Sequence, residues 1–373
     1  MSSKEKAREL LAKAGISING PQPYDIQVHD ERLYDRVLSS GSLGLGESYM
    51  DGWWDATDLP AFFHKVISAQ LDRKVRPLTM LWPVAKAYFI NLQNKDRAKK
   101  VGKKHYDVGN DLYECMLDRL LVYTCGYWSS PIIPAKDLDD AQEQKLDLVC
   151  RKIGLKAGQS VLDIGCGWGS FAKFAAERYG AKVVGITISK EQAELARERC
   201  KGLDVEIRFE DYRDTTGQFD HIVSLGMFEH VGPKNYRTYM EKVRSLLKDD
   251  GIFLLHTIGY VKTHQTGEAW TDKYIFPGGV LPSAAHIGAA FDDLFVMEDW
   301  HNFGLDYAKT LTAWLHNFEA HWSEIKDQYD ERFYRMWRYY LCGSVGVFSA
   351  RTSQLWQIVL SKDGVAGGYK TVR

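Results

Sequence analysis

Between residues 138 and 258 the apolar positions switch repeatedly between two periods. Leu138, Ala141, Leu146, Val149 and Ile153 recur at helical spacing and stop at Gly154. Residues 160–164 (SVLDI) then form a short, nearly continuous apolar run, the pattern of a strand covered on both faces. A glycine turn follows, and Phe171, Phe174 and Ala175 mark the next helix. Residues 182–187 predict a second strand, with Ser189 placed to cap the helix after it. Further strands are predicted at 205–209, 219–225 and 251–258, with a helix opening at Pro233 between the last two. Strands alternating with helices predict an α/β fold, a doubly wound parallel sheet with helices on both faces.

The flanks read differently. Beyond Leu281 the alternation loosens into helical stretches at 306–327 and 329–342 and a late strand at 354–360. At the other end, residues 1–68 predict a small helical unit that begins with Leu10, Leu11 and Ala14 and includes GSLGLGESYMDGWW at 41–54. Residues 69–104 carry ten Lys or Arg against two acids, with Pro77, Pro83, Trp82, Tyr88 and Phe89 interspersed, and predict a basic linker. The expected division is therefore a helical domain at 1–68, a basic linker at 69–104 and an α/β domain at 105–373.

Composition narrows the class. The 373 residues are 45% hydrophobic and 26% charged, which excludes a disordered or fibrous chain. The net charge of −1 selects no partner, so the basic strip is where charge matters. It points to an anionic surface, either lipid headgroups or nucleic acid. The six cysteines show no C-x-x-C pair and no zinc spacing, so neither a disulfide framework nor a metal site is expected and a reducing cytoplasm fits. No apolar run approaches the roughly 18 residues of a membrane span. Any membrane contact is expected to be peripheral.

The strongest local signal is VLDIGCGWGS at 161–170. A strand delivers Asp163, and Gly165, Gly167 and Gly169 then let the backbone pass close to a ligand before a helix starts. The spacing is G-x-G-x-G rather than G-x-G-x-x-G, and the next strand ends in Gly185-Ile-Thr187 where a dinucleotide enzyme places an acid. Both features favour the methyltransferase form of a nucleoside-cofactor site. Ligands bind outside the carboxyl ends of such strands. That places Thr187, Ile188 and Gln192 near a ribose and Asp211, Tyr212 and Arg213 near an adenine. Gln192 is also the fourth residue of a capping box opened by Ser189.

Together with the glycine turn, the segments KKHYDVGNDLY (103–113), YTCGYW (123–128), GMFEHVGPKNY (226–236), FLLHTIG (253–259), YIFPGG (274–279) and EDWHNFGLDYAKTL (298–311) resemble the cyclopropane-fatty-acid-phospholipid synthase family and its mycolic-acid relatives. The resemblance implies a class I, Rossmann-like methyltransferase fold with a small amino-terminal helical domain. It implies that S-adenosylmethionine supplies a methylene to cis double bonds of phospholipid acyl chains, and that bound bicarbonate is the base. An isolated alkene is a poor nucleophile, so its attack on a sulfonium methyl leaves a cation that must be kept from water until a proton departs. By position, the resemblance assigns the bicarbonate to Glu229, His256 and Tyr307 and to the backbone of the loop holding Cys125. Tyr123 and Thr124 fall to the cofactor. The same resemblance implies a homodimer working at a phospholipid surface in the cytoplasm, without nucleic acid.

Read from the residues alone, Glu229 after Phe228 at a predicted strand end is an unusual place for a carboxylate. His256, among Phe253, Leu254 and Leu255, reads more readily as a satisfied core histidine. Tyr123, Tyr127, Trp128, Phe228, Tyr274 and Phe276 are candidates to face a cation. One departure stands out. The family carries a cysteine in a Tyr-Leu-x-x-Cys pattern often assigned to the active site, whereas Tyr340-Leu341-Cys342-Gly343-Ser344 puts serine there. Cys342, two residues earlier, faces another side of the helix. Other outcomes of the same fold are a methyl-branched or hydroxylated product, a small amine or hydroxyl substrate, and a non-catalytic cofactor-binding protein.

Overall fold

The computed structural model describes residues 1–71 and 109–373. Most of the basic strip, including Trp82, Tyr88 and Phe89, lies outside the described residues. Two compact units emerge. One holds the described part of Met1–Ile90 with Gln265–Pro277 and Tyr307–Ser353; the other holds the described part of Asn91–His264 with Gly278–Asp306 and Gln354–Arg373.

In the first unit, α1 (Ser3–Ala12) starts at a capping box in which Ser2 and Glu5 satisfy each other's backbone N–H. Helix α2 (Arg32–Met50) is broken at Gly41, and the two-residue strands β1 (Gln27–Val28) and β2 (Trp54–Asp55) pair antiparallel beside it. Helix α3 (Leu59–Ser68) follows. The crowding of glycine and aromatic residues in 41–54 has a packing cause. A Cβ on Gly46 would lie 2.3 Å from the Trp270 ring, so only glycine lets the two approach. Trp270 in turn meets Tyr339 at 4.5 Å between ring centroids, and Phe63 meets Tyr339 edge-on at 4.9 Å.

The second unit is built on a sheet. After α4 (Asn110–Met116) and α5 (Leu138–Lys152), its first strand β3 (Ser160–Ile164) leads to α6 (Ser170–Tyr179). Then come β4 (Lys182–Thr187), α7 (Lys190–Arg199), β5 (Val205–Phe209), β6 (Phe219–Leu225), α8 (Tyr236–Leu246) and β7 (Leu247–Tyr260). The later elements are α9 (Ala269–Tyr274), α10 (Ala284–Phe291), β8 (Val296–Asn302), α11 (Gly304–Ile325), α12 (Glu331–Ser349) and β9 (Ser353–Ser361), with α9, α12 and most of α11 falling in the first unit. The seven strands stand in the order β5-β4-β3-β6-β7-β9-β8. Pairing is parallel from β5 through β7 and antiparallel between β8 and β9.

Alternate residues of one strand serve opposite faces, the period of two in action. Leu162, Ile164, Ile222, Phe253 and Leu255 pack with Tyr239, Met240 and Val243 of α8. Val161, Val223 and Leu254 pack on the other face with Leu146 and Val149 of α5 and Phe171 of α6. Each such side chain contributes about 1.5–3 kcal/mol by leaving water. Both faces are dry, so the carboxyl-end edge is where polar chemistry collects.

Candidate active site

Asp163, on the last turn-ward rungs of β3, pairs across to Val223 of β6, and Leu225 of β6 pairs with His256 of β7. His256 therefore stands two rungs beyond Asp163 at the same end of the sheet, with β6 between their strands. The turn after β3 is pinned by the N–H groups of Gly165 and Cys166, which both donate to the Ile186 carbonyl at 2.9 and 3.0 Å. Gly165 and Gly167 have φ of 83° and 54°, the left-handed region that side chains disfavour. A Cβ at Gly165 would lie 2.8 Å from Met227, while one at Gly167 would meet nothing within 4 Å. The second glycine thus borders open space, as a ligand cradle requires.

Asp163 is 1% exposed, and its Oδ2 is buried without a hydrogen-bond partner. Burial pushes its carboxyl up to about 7, opposed by the charge of Lys145. A buried acceptor beside an open glycine turn fits a ligand rich in hydroxyl and ammonium donors, which S-adenosylmethionine is. At the end of β4 the Thr187 hydroxyl donates to Oε1 of Gln192 at 3.0 Å. Ser189 accepts the Gln192 N–H at 3.3 Å, so the serine half of the capping box forms while the glutamine side chain turns to Thr187 instead. Ile188 is half-buried. The Asp211 carboxylate takes two bonds from the Arg213 guanidinium at 2.7 Å each, and Tyr212 packs edge-on against Tyr239 within the core.

The loop at 123–128 is gripped from α5. Gln142 Nε2 donates to the Thr124 carbonyl at 2.7 Å, and Lys145 Nζ donates to the Thr124 hydroxyl at 2.9 Å. Lys145 is fully buried, and burial draws its ammonium down to about 8 against the charges of Asp118, Cys125 and Asp163. Neither Lys145 nor Gln142 was picked out from the sequence. The available signal was that both interrupt the apolar face of α5, between Ala141 and Leu146. Cys125 is buried, and its thiol donates to the Gly126 carbonyl at 3.1 Å. Tyr123 meets Tyr113 at 5.1 Å and Tyr113 meets Trp168 of the glycine turn at 4.8 Å, an aromatic link also missed. Trp168 Nε1 donates to Asn110 at 3.0 Å.

Glu229 does not end a strand, as the apolar pattern suggested. β6 stops at Leu225, the chain turns at Gly226 (φ 76°), and Glu229 sits in a 3-10 turn at Phe228–His230. Its Oε1 accepts the Ile258 N–H at 2.7 Å, and Oε2 is buried without a partner. Burial raises its carboxyl to about 7, offset in part by the backbone hydrogen bond from Ile258. His256 is 1% exposed. Gln357 Nε2 lies 3.3 Å from its Nδ1, and Nε2 of the ring is buried without a partner; with the amide nitrogen donating to Nδ1, the proton of the neutral ring sits on Nε2. Burial, then the charges of Lys145 and Lys152, holds the imidazole neutral.

The remaining candidates have surroundings of their own. Phe228 stacks on Tyr236 at 4.3 Å and Tyr127 packs on Phe303 at 5.2 Å, both as core. Tyr274 donates to Glu47 at 2.9 Å. Tyr307 lies in the first unit, buried against Phe348 at 4.5 Å. Ser344, also there, is half-buried on α12, and Cys342 is fully buried with its thiol pushed up to about 12.

Comparison with known proteins follows the same lines. Residues 93–358 match the family described as mycolic acid cyclopropane synthetase. The cyclopropane-fatty-acyl-phospholipid synthase of Escherichia coli K12 is 53% identical over 368 residues, covering 98% of this chain and 95% of the relative. Among solved structures, a cyclopropane synthase from Mycobacterium tuberculosis is 28% identical with a TM-score of 0.67, covering 73% of this chain and 100% of the other. A mycolic acid cyclopropane synthase complexed with SAH and CTAB is 29% identical with a TM-score of 0.66, covering 71% and 98%. The chain thus belongs to the cyclopropane synthase family of S-adenosylmethionine-dependent methyltransferases, with their class I α/β fold.

Proposed function

We propose that this enzyme converts cis double bonds of unsaturated phospholipid acyl chains to cyclopropanes, with S-adenosylmethionine as one-carbon donor and bicarbonate as the resident base. The 53% identity to a phospholipid-acting relative over almost the whole chain supports the substrate class. When bound, the cofactor supplies an electrophilic methyl that a neutral alkene can attack. Asp163, the glycine turn, Thr187 and Gln192 would hold it, and Tyr123 and Thr124 would border it.

The observation that carries the base assignment is the pair of buried, unpartnered atoms, Oε2 of Glu229 and Nε2 of His256. One accepts and the other donates, and a bicarbonate offers one hydroxyl and several acceptor oxygens. Leaving both groups unsatisfied costs about 1–3 kcal/mol each, so a resident polar ligand fits the site. In this reading Glu229 would take the bicarbonate hydroxyl and orient it, while neutral His256 would donate to an acceptor oxygen without adding a positive charge beside a developing cation. Tyr307 and the Cys125 loop are assigned to the same anion by family position. Membrane contact at a peripheral surface and assembly as a homodimer belong to the same proposal. Incubation of the pure protein with S-adenosylmethionine and unsaturated phospholipid vesicles, followed by mass spectrometry of the acyl chains, tests it. Cyclopropane chains are expected; methyl-branched or hydroxylated chains, or none, would overturn it.

A further inference from the structure

We infer that the tip of the 129–136 loop in the second unit inserts into the lipid bilayer, a role that rests on the acyl-lipid substrate proposed above. Ile132 and Ile133 are 73% and 65% exposed, and with Met1 they are the most exposed large apolar side chains among the described residues. One exposed isoleucine is ordinary, but two adjacent ones held out between Pro131 and Pro134 form a projecting apolar point.

The backbone of this tip suits lipid better than protein. Hydrocarbon offers no hydrogen-bond acceptors, so an inserted loop must satisfy its own N–H groups. Pro131 and Pro134 have none. Ile132 donates to the Ser130 hydroxyl at 3.4 Å, and Ala135 donates to the Trp128 carbonyl at 3.3 Å. The base of the loop is fixed at the same time. Buried Asp306 accepts the N–H groups of Trp128 and Ser129 at 2.8 and 2.9 Å and also the Ser129 hydroxyl. An apolar point on a clamped base loses little freedom on insertion.

Charge does not drive the contact. Exposed Lys136 pairs with Asp140 at 3.4 Å, and Asp137 and Asp139 follow it, so the residues next along the chain offer no net attraction for anionic headgroups. The tip therefore engages neutral lipid, distinct from any role of the basic strip. It also follows directly on the 123–128 loop, which couples seating on the bilayer to the loop that borders the proposed cofactor site.

The test uses the full-length protein with neutral dioleoylphosphatidylcholine vesicles, at salt high enough to screen surface charge. The double substitution Ile132→Ser with Ile133→Ser is expected to lower vesicle partition about tenfold or more, whereas Ile132→Leu with Ile133→Leu stays within about twofold of wild type. Turnover of detergent-dispersed unsaturated phospholipid is expected to be unchanged in both. Equal partition of the serine variant and wild type, or loss of self-association in place of vesicle binding, would overturn the insertion tip. Absence of turnover on lipid in any form, with the partition difference intact, would instead overturn the substrate reading alone.

Discussion

Lys145 Nζ lies 2.9 Å from the hydroxyl of Thr124, and this single bond ties a buried charge on α5 to the loop that borders the proposed cofactor site. The ammonium also counters the burial of Asp163 and helps keep His256 neutral. One side chain thus fixes a loop and sets the charge state of two others.

Replacing Lys145 by Met keeps the length but removes both the donor and the charge. Asp163 then ionises at higher pH, because the group that lowered its pKa is gone. S-adenosylhomocysteine affinity is expected to fall about tenfold to a hundredfold, matching the loss of one charge-assisted hydrogen bond of about 1.5–3 kcal/mol. The acid limb of the binding profile should move upward in pH. Calorimetric titration across the neutral range checks this, and an unchanged profile would make Lys145 a packing residue only.

Glu229 offers a stability experiment that needs no catalysis. Its carboxyl is raised from 4.5 to about 7 by burial, so between those values the unfolded chain gives up the proton first. The unfolded state then binds fewer protons than the native one, and stability falls as pH rises through this window. Glu229→Gln removes the penalty, worth on the order of 3 kcal/mol above pH 7. The ligand-free variant is expected to melt a few degrees above wild type at pH 8 and level with it or below at pH 4. A variant less stable than wild type at pH 8 would show that the carboxylate is paired.

The same substitution should separate chemistry from binding. Turnover of Glu229→Gln is expected to drop by roughly 10² to 10⁴, the usual range for proton-transfer machinery, with S-adenosylhomocysteine affinity nearly unchanged. Wild-type enzyme stripped of carbon dioxide should slow and recover on adding bicarbonate. Full rate without it would remove bicarbonate from the mechanism.

Much of the sheet was legible because its strands are buried on both faces. The runs at 160–164, 182–187, 205–209 and 219–225 coincide with β3 to β6. β8 was missed for the opposite reason: Val296–Asn302 reads VMEDWHN, an edge strand with Val296 and Met297 facing solvent and acids between them. The glycine turn announced itself through spacing, and Asp163 through its place before it. Glu229 was misplaced onto a strand because Phe228 continues the apolar run past Gly226, where backbone conformation rather than hydrophobicity ends β6. Lys145 left only a faint trace, a charge in an apolar stripe, since its partners come from 21 residues away in sequence.

Ser344 tests whether the family cysteine position needs a thiol at all. The alkene is itself the nucleophile in the proposed reaction and attacks the methyl directly, so no covalent enzyme intermediate forms and a thiolate has nothing to attack. Cys342 cannot stand in, because it is fully buried and burial raises its thiol to about 12, leaving it protonated at neutral pH. A serine hydroxyl is a stronger hydrogen-bond donor than a thiol of similar size. Ser344→Ala is therefore expected to cost no more than one ordinary hydrogen bond, about 0.5–1.5 kcal/mol or up to roughly tenfold in rate. Ser344→Cys should change turnover little, and Cys342→Ala should act on melting temperature rather than on chemistry, through the cavity it leaves. Turnover of the three variants, with S-adenosylhomocysteine binding and melting measured alongside, decides the matter. An inactive wild type rescued by Ser344→Cys would make the thiol a chemical requirement, and the proposed direct attack by the alkene would no longer be a sufficient account.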